Sequence, residues 1–450
     1  MDVFGSSGVR GVVNEGLTPT LVLRIAQAAG TVWDASRVAI ARDTRISGGM
    51  FTDAVASGLR SVGTDVDHLG RVPTPAAQYY AEREGVPAVL VTASHNPPQF
   101  NGIKLVGPDG IGLPVETLER IERTLVEESF DTVGWEDVGG ARSIPNPARE
   151  YVAAVVAAVD RQAIADAAPT VVVDPGHGAG CETSPELFRR LGCDVRTVNA
   201  TPDGHFPARQ SEPTGDALAD CCRLVEAADA DLGILHDGDA DRAVFVDETG
   251  TPIDASASLA ALAAAELSDG HTMVSAVNVS QRVVDATTEA GAKLELTPIG
   301  ATHLSSRIRE LQADGETVPV AGEGNGGIFF PPYRTARDGA YTAARFLELV
   351  VEASASAVVE PYGGYQFLQR NLEYEDEHHR EGMLEAAAEW ARAQNGELDT
   401  KDGYRVDFGD AWALVRPSGT EPLVRAYAEA RTRKRAESLL DSVTTAMRTA

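Results

Sequence analysis

Val171-Val172-Val173-Asp174-Pro175-Gly176-His177-Gly178-Ala179-Gly180, followed by a helical stretch to Leu191-Gly192 and then Asp194-Val195, is the unit from which the fold is read. Three β-branched residues in a row suit a buried strand, and the glycine-rich run after them suits a loop. Gly192 is placed as the C-cap of a helix that hands the chain to a second strand. Strand, helix and strand in that order form a βαβ crossover, whose strands lie parallel in one sheet. The pattern occurs twice more. Val38 to Ala41 leads through Arg42-Asp43-Thr44-Arg45-Ile46-Ser47-Gly48-Gly49 and a helix to Gly63 and Asp65-Val66-Asp67. Met273 leads through a helix to Ala290-Gly291 and Lys293-Leu294-Glu295-Leu296. The intervals separating Gly63, Gly192 and Gly291 are of domain size, which excludes a solenoid.

Working outward, boundaries are expected at Ile144-Pro145-Asn146-Pro147, at Glu248-Thr249-Gly250 and at Glu360-Pro361-Tyr362-Gly363-Gly364. These predict an α/β protein of three similar domains with mixed sheets, over 1–145, 146–250 and 251–358, and a smaller α+β domain over 359–450. In that last quarter a charged helical run, Glu373 to Ala393, precedes two hairpin strands, Tyr404 to Phe408 and Ala411 to Val415, about Gly409-Asp410.

The chain has 450 residues, 67 acidic and 39 basic, for a formal charge of −28, which argues against nucleic acid or an anionic lipid surface as partner. Only four of the basic residues are lysine (Lys104, Lys293, Lys401, Lys434). So many carboxylates repel one another at low salt, and molar salt shortens the screening length to about 3 Å. A halophilic protein is therefore expected, with a melting temperature that rises from dilute buffer to molar KCl; full stability and activity at low salt would contradict this. Cys181, Cys193, Cys221 and Cys222 show no metal-binding spacing and are read as reduced core thiols. Met1 to Gly11 lacks a basic stretch followed by an apolar one, and the Ala/Val run Tyr151 to Val159 is too short to span a bilayer, so a cytoplasmic location is expected.

Four further runs carry chemistry. Thr92-Ala93-Ser94-His95-Asn96-Pro97 follows the apolar strand Ala88 to Val91, at the kind of strand end where α/β sheets bind ligands. No G-x-S-x-G elbow accompanies Ser94, which disfavours a hydrolase triad. Asp237-Gly238-Asp239-Ala240-Asp241-Arg242 follows Leu232 to Leu235 and offers three hard oxygen ligands at alternate positions, suited to Mg²⁺. An EF-hand is disfavoured because Arg242 stands where the sharp turn needs glycine. Gly322-Glu323-Gly324-Asn325-Gly326-Gly327 combines open backbone with hydrogen-bonding side chains fit for sugar hydroxyls, and is equally readable as a plain hairpin turn. Arg416-Pro417-Ser418-Gly419-Thr420-Glu421-Pro422 places a guanidinium, two hydroxyls and unhindered N–H groups on one turn, a composition suited to a phosphate dianion.

Taken with Phe4-Gly5-Ser6-Ser7-Gly8-Val9-Arg10-Gly11, these runs, in this order, resemble the α-D-phosphohexomutases, and most closely their archaeal phosphoglucosamine mutase and phosphomannomutase branch. The resemblance covers essentially the whole chain. It implies four domains around a central cleft and an isomerase that interconverts 6-phospho and 1-phospho sugars through a phosphoserine and a 1,6-bisphosphate, which serves as intermediate and activator. By the same resemblance Ser94 carries the phosphoryl group, and Asp237, Asp239 and Asp241 hold Mg²⁺ together with that phosphate. Arg10 and Arg242 would draw charge from the transferring group, Lys104 would be the acid/base, and His95 would either assist or pack. Glu323 and Asn325 would grip ring hydroxyls; Arg416, Ser418, Gly419 and Thr420 would bind the non-reacting phosphate. Lysine at 104, in a chain otherwise rich in arginine, fits a role that requires releasing a proton. Gly419, where phosphomannomutase/phosphoglucomutases often have asparagine, leans toward glucosamine phosphate, with mannose and glucose phosphates as alternatives. Ala301, after Gly300, and His177 depart from the family's pattern. The partner expected is a small phosphosugar, and the protein a monomer or homodimer. Two rivals are a haloacid-dehalogenase-like phosphotransferase with Asp237 as nucleophile and a non-catalytic phosphosugar sensor.

Overall fold

The computed structural model describes residue 4, residues 8–418 and residues 423–448. The chain divides into two compact units, one running to Ser258 and resuming over Asn325–Val359, the other made of Leu259–Gly324 and the chain from Glu360 onward.

The first unit contains two mixed sheets. In the first, the strands run Val9–Val12, Phe100–Val106, Ala88–Val91, Arg37–Arg42, Asp65–Arg71 and Ala141–Ser143 across the sheet. Arg37–Arg42 pairs in parallel with Asp65–Arg71 and with Ala88–Val91, whereas Phe100–Val106 returns antiparallel beside Ala88–Val91. The second sheet repeats this plan. Thr170–Asp174 lies parallel to Asp194–Thr197 and to Leu232–His236, and Ala243–Val246 returns antiparallel beside Leu232–His236. In both sheets, therefore, a short loop joins a buried parallel strand to its antiparallel return, at the carboxyl end of the parallel strand. Those two loops hold Ser94 and the three aspartates.

Local chemistry explains the elements that hold this frame. Helix Pro19–Trp33 starts at Thr18, whose side chain accepts from the Leu21 amide, with proline in the first turn, and it ends at Asp34 in a left-handed conformation. It packs against helix Gly48–Ser61, and a Cβ on Gly58 would lie 2.4 Å from the Leu23 carbonyl oxygen, so glycine there sets the close crossing. The unit also holds the antiparallel pair Ile328–Phe330 and Arg334–Arg337.

In the second unit, Thr272–Ala276 is flanked in parallel by Lys293–Thr297, completing the third crossover, and by Ala321–Gly322. The remaining sheet is antiparallel, in the order Gln366–Glu373, Leu423–Ala430, Ala411–Pro417, Tyr404–Asp407, Glu397–Asp399. Strand alternation decides its two faces. Ala411, Ala413 and Val415 face a core with Met383, Trp390, Leu440 and Val443 from the helices, while Trp412 and Leu414 pack with Val277, Leu296 and Ile299. Burial on both sides accounts for a strand with no polar residue between Ala411 and Val415. The helical run expected from Glu373 is shorter at its start. Glu373 ends a strand, and the helix begins at Glu377 because the Asp376 side chain accepts from the His379 amide and caps it.

All four cysteines are free; Cys193 and Cys221 are buried, and Cys181 and Cys222 partly so. No described helix is long and apolar enough to cross a membrane.

Candidate active site

Ser94 is fully buried in the first loop and has a φ of +51°, a region that costs a non-glycine residue free energy and persists only where neighbours enforce it. The enforcing group is Arg45. Its guanidinium donates to the carbonyl oxygens of Ser94 (3.0 Å), Asn96 (2.6 Å), Pro97 (2.6 Å) and Phe100 (2.9 Å), and its Nε to Asp43 (3.0 Å). The loop thus wraps a single buried cation, which the Phe206 ring covers at 5.2 Å. Asp43 also accepts from Thr92 Oγ1, which in turn accepts from the Ser94 amide at 2.9 Å. With the backbone held this way, Ser94 Oγ donates to Asp237 Oδ2 at 2.6 Å.

The second loop turns at Ala240, φ +54°, and brings Asp237, Asp239 and Asp241 together, all buried, with carboxylate oxygens within 4.8 Å of one another. Asp239 Oδ2 accepts from Thr74 Oγ1 (2.6 Å) and Lys104 Nζ (2.7 Å). Asp241 Oδ2 accepts from Arg337 (2.5 Å) and Lys104 (3.3 Å). The other oxygens, Oδ1 of Asp239 and of Asp241, are buried with no hydrogen-bond partner. Three hard oxygen donors, two of them lacking partners, fit a divalent cation such as Mg²⁺. Burial, together with the neighbouring Asp241 and Asp239, raises the Asp237 carboxyl above the usual range. Asp241 is shifted the other way: burial opposes its charge, but Arg337, Lys104 and Arg242 outweigh burial and hold it well below.

His95 Nδ1 lies 3.1 Å from Arg242 Nη2 and 3.5 Å from Ser94 Oγ. Burial, then Arg242 and Arg10, push it down to about 2, which favours the neutral ring. Arg10 donates to Asn96 Oδ1 at 3.0 Å. Ser94, His95, Lys104, Arg10, Arg242 and the three aspartates are therefore brought together inside the first unit, with Lys104 seated on the aspartates.

The remaining expected residues are placed elsewhere. Asn325 Oδ1, in the first unit, accepts from the Gly327 amide at 3.0 Å. In the second unit, Glu323 Oε1 accepts from the Gly300 amide at 2.7 Å, Arg416 Nε is 3.1 Å from Asp402, and the Ser418 amide bonds to Leu423 O. Gly419 and Thr420, like Gly5 to Ser7, lie outside the described residues.

Asp43, Arg45, Thr74 and Arg337 have no role in the sequence reading. Asp43 and Arg45 were signalled only by an Asp-x-Arg at the end of a strand, and Arg337 by a basic residue on a strand remote in the chain. The second sheet uses a like device: Arg209 donates to Asp174 and to the His236 carbonyl oxygen, just ahead of the aspartates. Replacing Arg45 with methionine leaves Asp43 buried without its cation. It is expected to lower unfolding stability by about 3–5 kcal/mol, read from urea denaturation, and a change below about 1 kcal/mol would contradict the clamp.

Four family models match successive stretches of the chain. Phosphoglucomutase/phosphomannomutase alpha/beta/alpha domains I, II and III match residues 1–132, 149–250 and 254–363, and the family's C-terminal domain matches 371–446. A phosphoglucomutase/phosphomannomutase of Thermococcus kodakarensis is 39% identical, covering 98% of this chain and 97% of its own. A probable phosphoglucosamine mutase of Methanocella arvoryzae is 36% identical, with 98% and 96% covered. Among solved structures, a phosphoglucomutase/phosphomannomutase family protein of Burkholderia thailandensis superposes with a TM-score of 0.87 at 27% identity, covering 99% of this chain and 97% of the other.

Proposed function

Because the chain belongs to the phosphoglucomutase/phosphomannomutase family of α-D-phosphohexomutases, enzymes that interconvert sugar phosphates, we propose that Ser94 carries the phosphoryl group and that a sugar 1,6-bisphosphate is the intermediate. The observation that supports this most is the 2.6 Å approach of Ser94 Oγ to Asp237, within a buried set of three carboxylates. Phosphoryl transfer asks a protein mainly for position and charge.

In the forward half, the bond between phosphorus and Ser94 Oγ breaks as one forms to the free hydroxyl oxygen of a sugar monophosphate. Lys104 takes the hydroxyl proton and delivers it to Ser94 Oγ, which keeps the electron pair of the broken bond. After the bisphosphate turns over, its other phosphate moves to Ser94 Oγ, whose proton passes by way of Lys104 to the sugar oxygen released. Arg45 fixes the loop so that Oγ stays aimed at Asp237, and neutral His95 adds no charge beside it. Arg10 and Arg242 offset charge on the moving group. Asp237, Asp239 and Asp241 would hold Mg²⁺, which would supply further positive charge there. Glu323 and Asn325 hold sugar hydroxyls. Arg416, Ser418, Gly419 and Thr420 hold the resting phosphate, a task suited to rotatable hydroxyls and backbone donors because that phosphate arrives from either end of the sugar.

Glucosamine phosphate is the substrate we favour. Gly419 supports it, as does the name of the Methanocella arvoryzae relative, while that of the Thermococcus kodakarensis relative points to glucose and mannose phosphates. A coupled assay of glucosamine, mannose and glucose phosphates with Mg²⁺ in high salt should give the highest kcat/KM for glucosamine phosphate. A tenfold preference for either hexose phosphate would overturn that choice.

A further inference from the structure

The loop Pro298-Ile299-Gly300, ahead of helix Ala301–Ala313, presents two consecutive backbone N–H groups, and each is taken by a carboxylate from a different part of the second unit. Gly300 N donates to Glu323 Oε1 at 2.7 Å, and Ile299 N donates to Asp402 Oδ2 at 3.1 Å. The same Asp402 Oδ2 is 3.1 Å from Arg416 Nε, with both side chains about one-sixth exposed (17% and 16%). Asp402 is itself held in place. It sits in a turn whose Gly403, at φ +90°, presses so closely on the neighbouring strand that a Cβ would come within 2.1 Å of Val415 O and 2.8 Å of Arg416 Cβ. A polar chain therefore runs from Arg416 through Asp402 and the two loop amides to Glu323.

We infer that Asp402 is a positioning residue that sets specificity, tying the Arg416 guanidinium to the loop that holds Glu323 so that a phosphate borne on a sugar is favoured over bare phosphate. The inference rests on the proposed reading of Arg416 as a phosphate ligand and Glu323 as a sugar ligand. Two opposing effects give it content. A carboxylate beside Arg416 repels every incoming phosphate dianion, sugar-borne or not. Locking the loop fixes Glu323 before the ligand arrives, a benefit that only a ligand with hydroxyl groups collects. Asp402 thus weakens bare phosphate and supports sugar phosphate.

The test is calorimetric titration of the full-length protein, with turnover blocked by Ser94→Ala, against glucosamine 6-phosphate and against inorganic phosphate. Asp402→Asn removes the charge but keeps an acceptor for the Ile299 amide, and should tighten inorganic phosphate about threefold or more. Asp402→Ala removes both, and should lower the ratio of sugar phosphate to inorganic phosphate affinity about tenfold. Equal changes for the two ligands in Asp402→Ala, or weaker inorganic phosphate binding in Asp402→Asn, would overturn the inference. Arg416→Ala is the control and should weaken both ligands. If it weakens neither, the phosphate-site reading itself fails, an outcome distinct from failure of the Asp402 variants alone.

Discussion

Replacing Ser94 with alanine is expected to lower mutase turnover by at least about a thousandfold while leaving the fold intact. The expectation of lost activity follows from the chemistry: with no Oγ there is no atom to receive or return the phosphoryl group. The expectation of an intact fold follows from how the loop is built. Arg45 grips carbonyl oxygens of Ser94, Asn96, Pro97 and Phe100, none of which the substitution touches, and Thr92 holds the residue's amide. Alanine removes the hydrogen bond from Oγ to Asp237, so the unfolding free energy should fall by no more than about 1–2 kcal/mol. Ser94→Thr is the sharper variant. It keeps a hydroxyl but asks a β-branched residue to adopt φ +51°, so it should be both less stable and less active than the wild type. Full activity in Ser94→Ala would refute the assignment.

The second large effect is expected at Asp239. Asp239→Asn keeps the side chain's shape and its bond to Thr74 but removes a charged oxygen ligand, and the affinity for Mg²⁺ should fall about a hundredfold. Titration of Mg²⁺ or Mn²⁺ by calorimetry reads this directly, apart from activity. Turnover should recover in part as Mg²⁺ is raised, and stripping the wild-type protein with a chelator should abolish turnover until the metal is restored. An unchanged metal titration, together with an activity loss that added Mg²⁺ does not relieve, would show that Asp239 acts by some other route.

The crossovers were legible because each rests on local signals that tertiary context does not reverse. Runs such as Val171 to Val173 are apolar on both faces because the strand is buried on both. Gly63, Gly192 and Gly291 all adopt the positive φ that ends a helix. The aspartates were legible because alternate positions on one short loop converge whatever surrounds them. Arg45 and Arg337 were not legible, since their meaning lies in carbonyls and carboxylates that the fold brings in from remote positions. The same holds for Asp402, which reads as an ordinary turn residue until its carboxylate is seen shared between Ile299 and Arg416. The start of the last domain's first helix was misplaced because Glu373 and Glu377 are alike in composition, and only the Asp376 cap, a side chain meeting a backbone amide, separates strand from helix.

The central claim is that one serine hydroxyl receives and returns the phosphoryl group. The most direct measurement is to mix the dephosphorylated protein with a hexose 1,6-bisphosphate and Mg²⁺, quench it, and map the modified peptide by mass spectrometry. One phosphate on Ser94, chased off by sugar monophosphate, is the result predicted. Phosphate on Asp237, or none on the protein while the bisphosphate is bound, would contradict it.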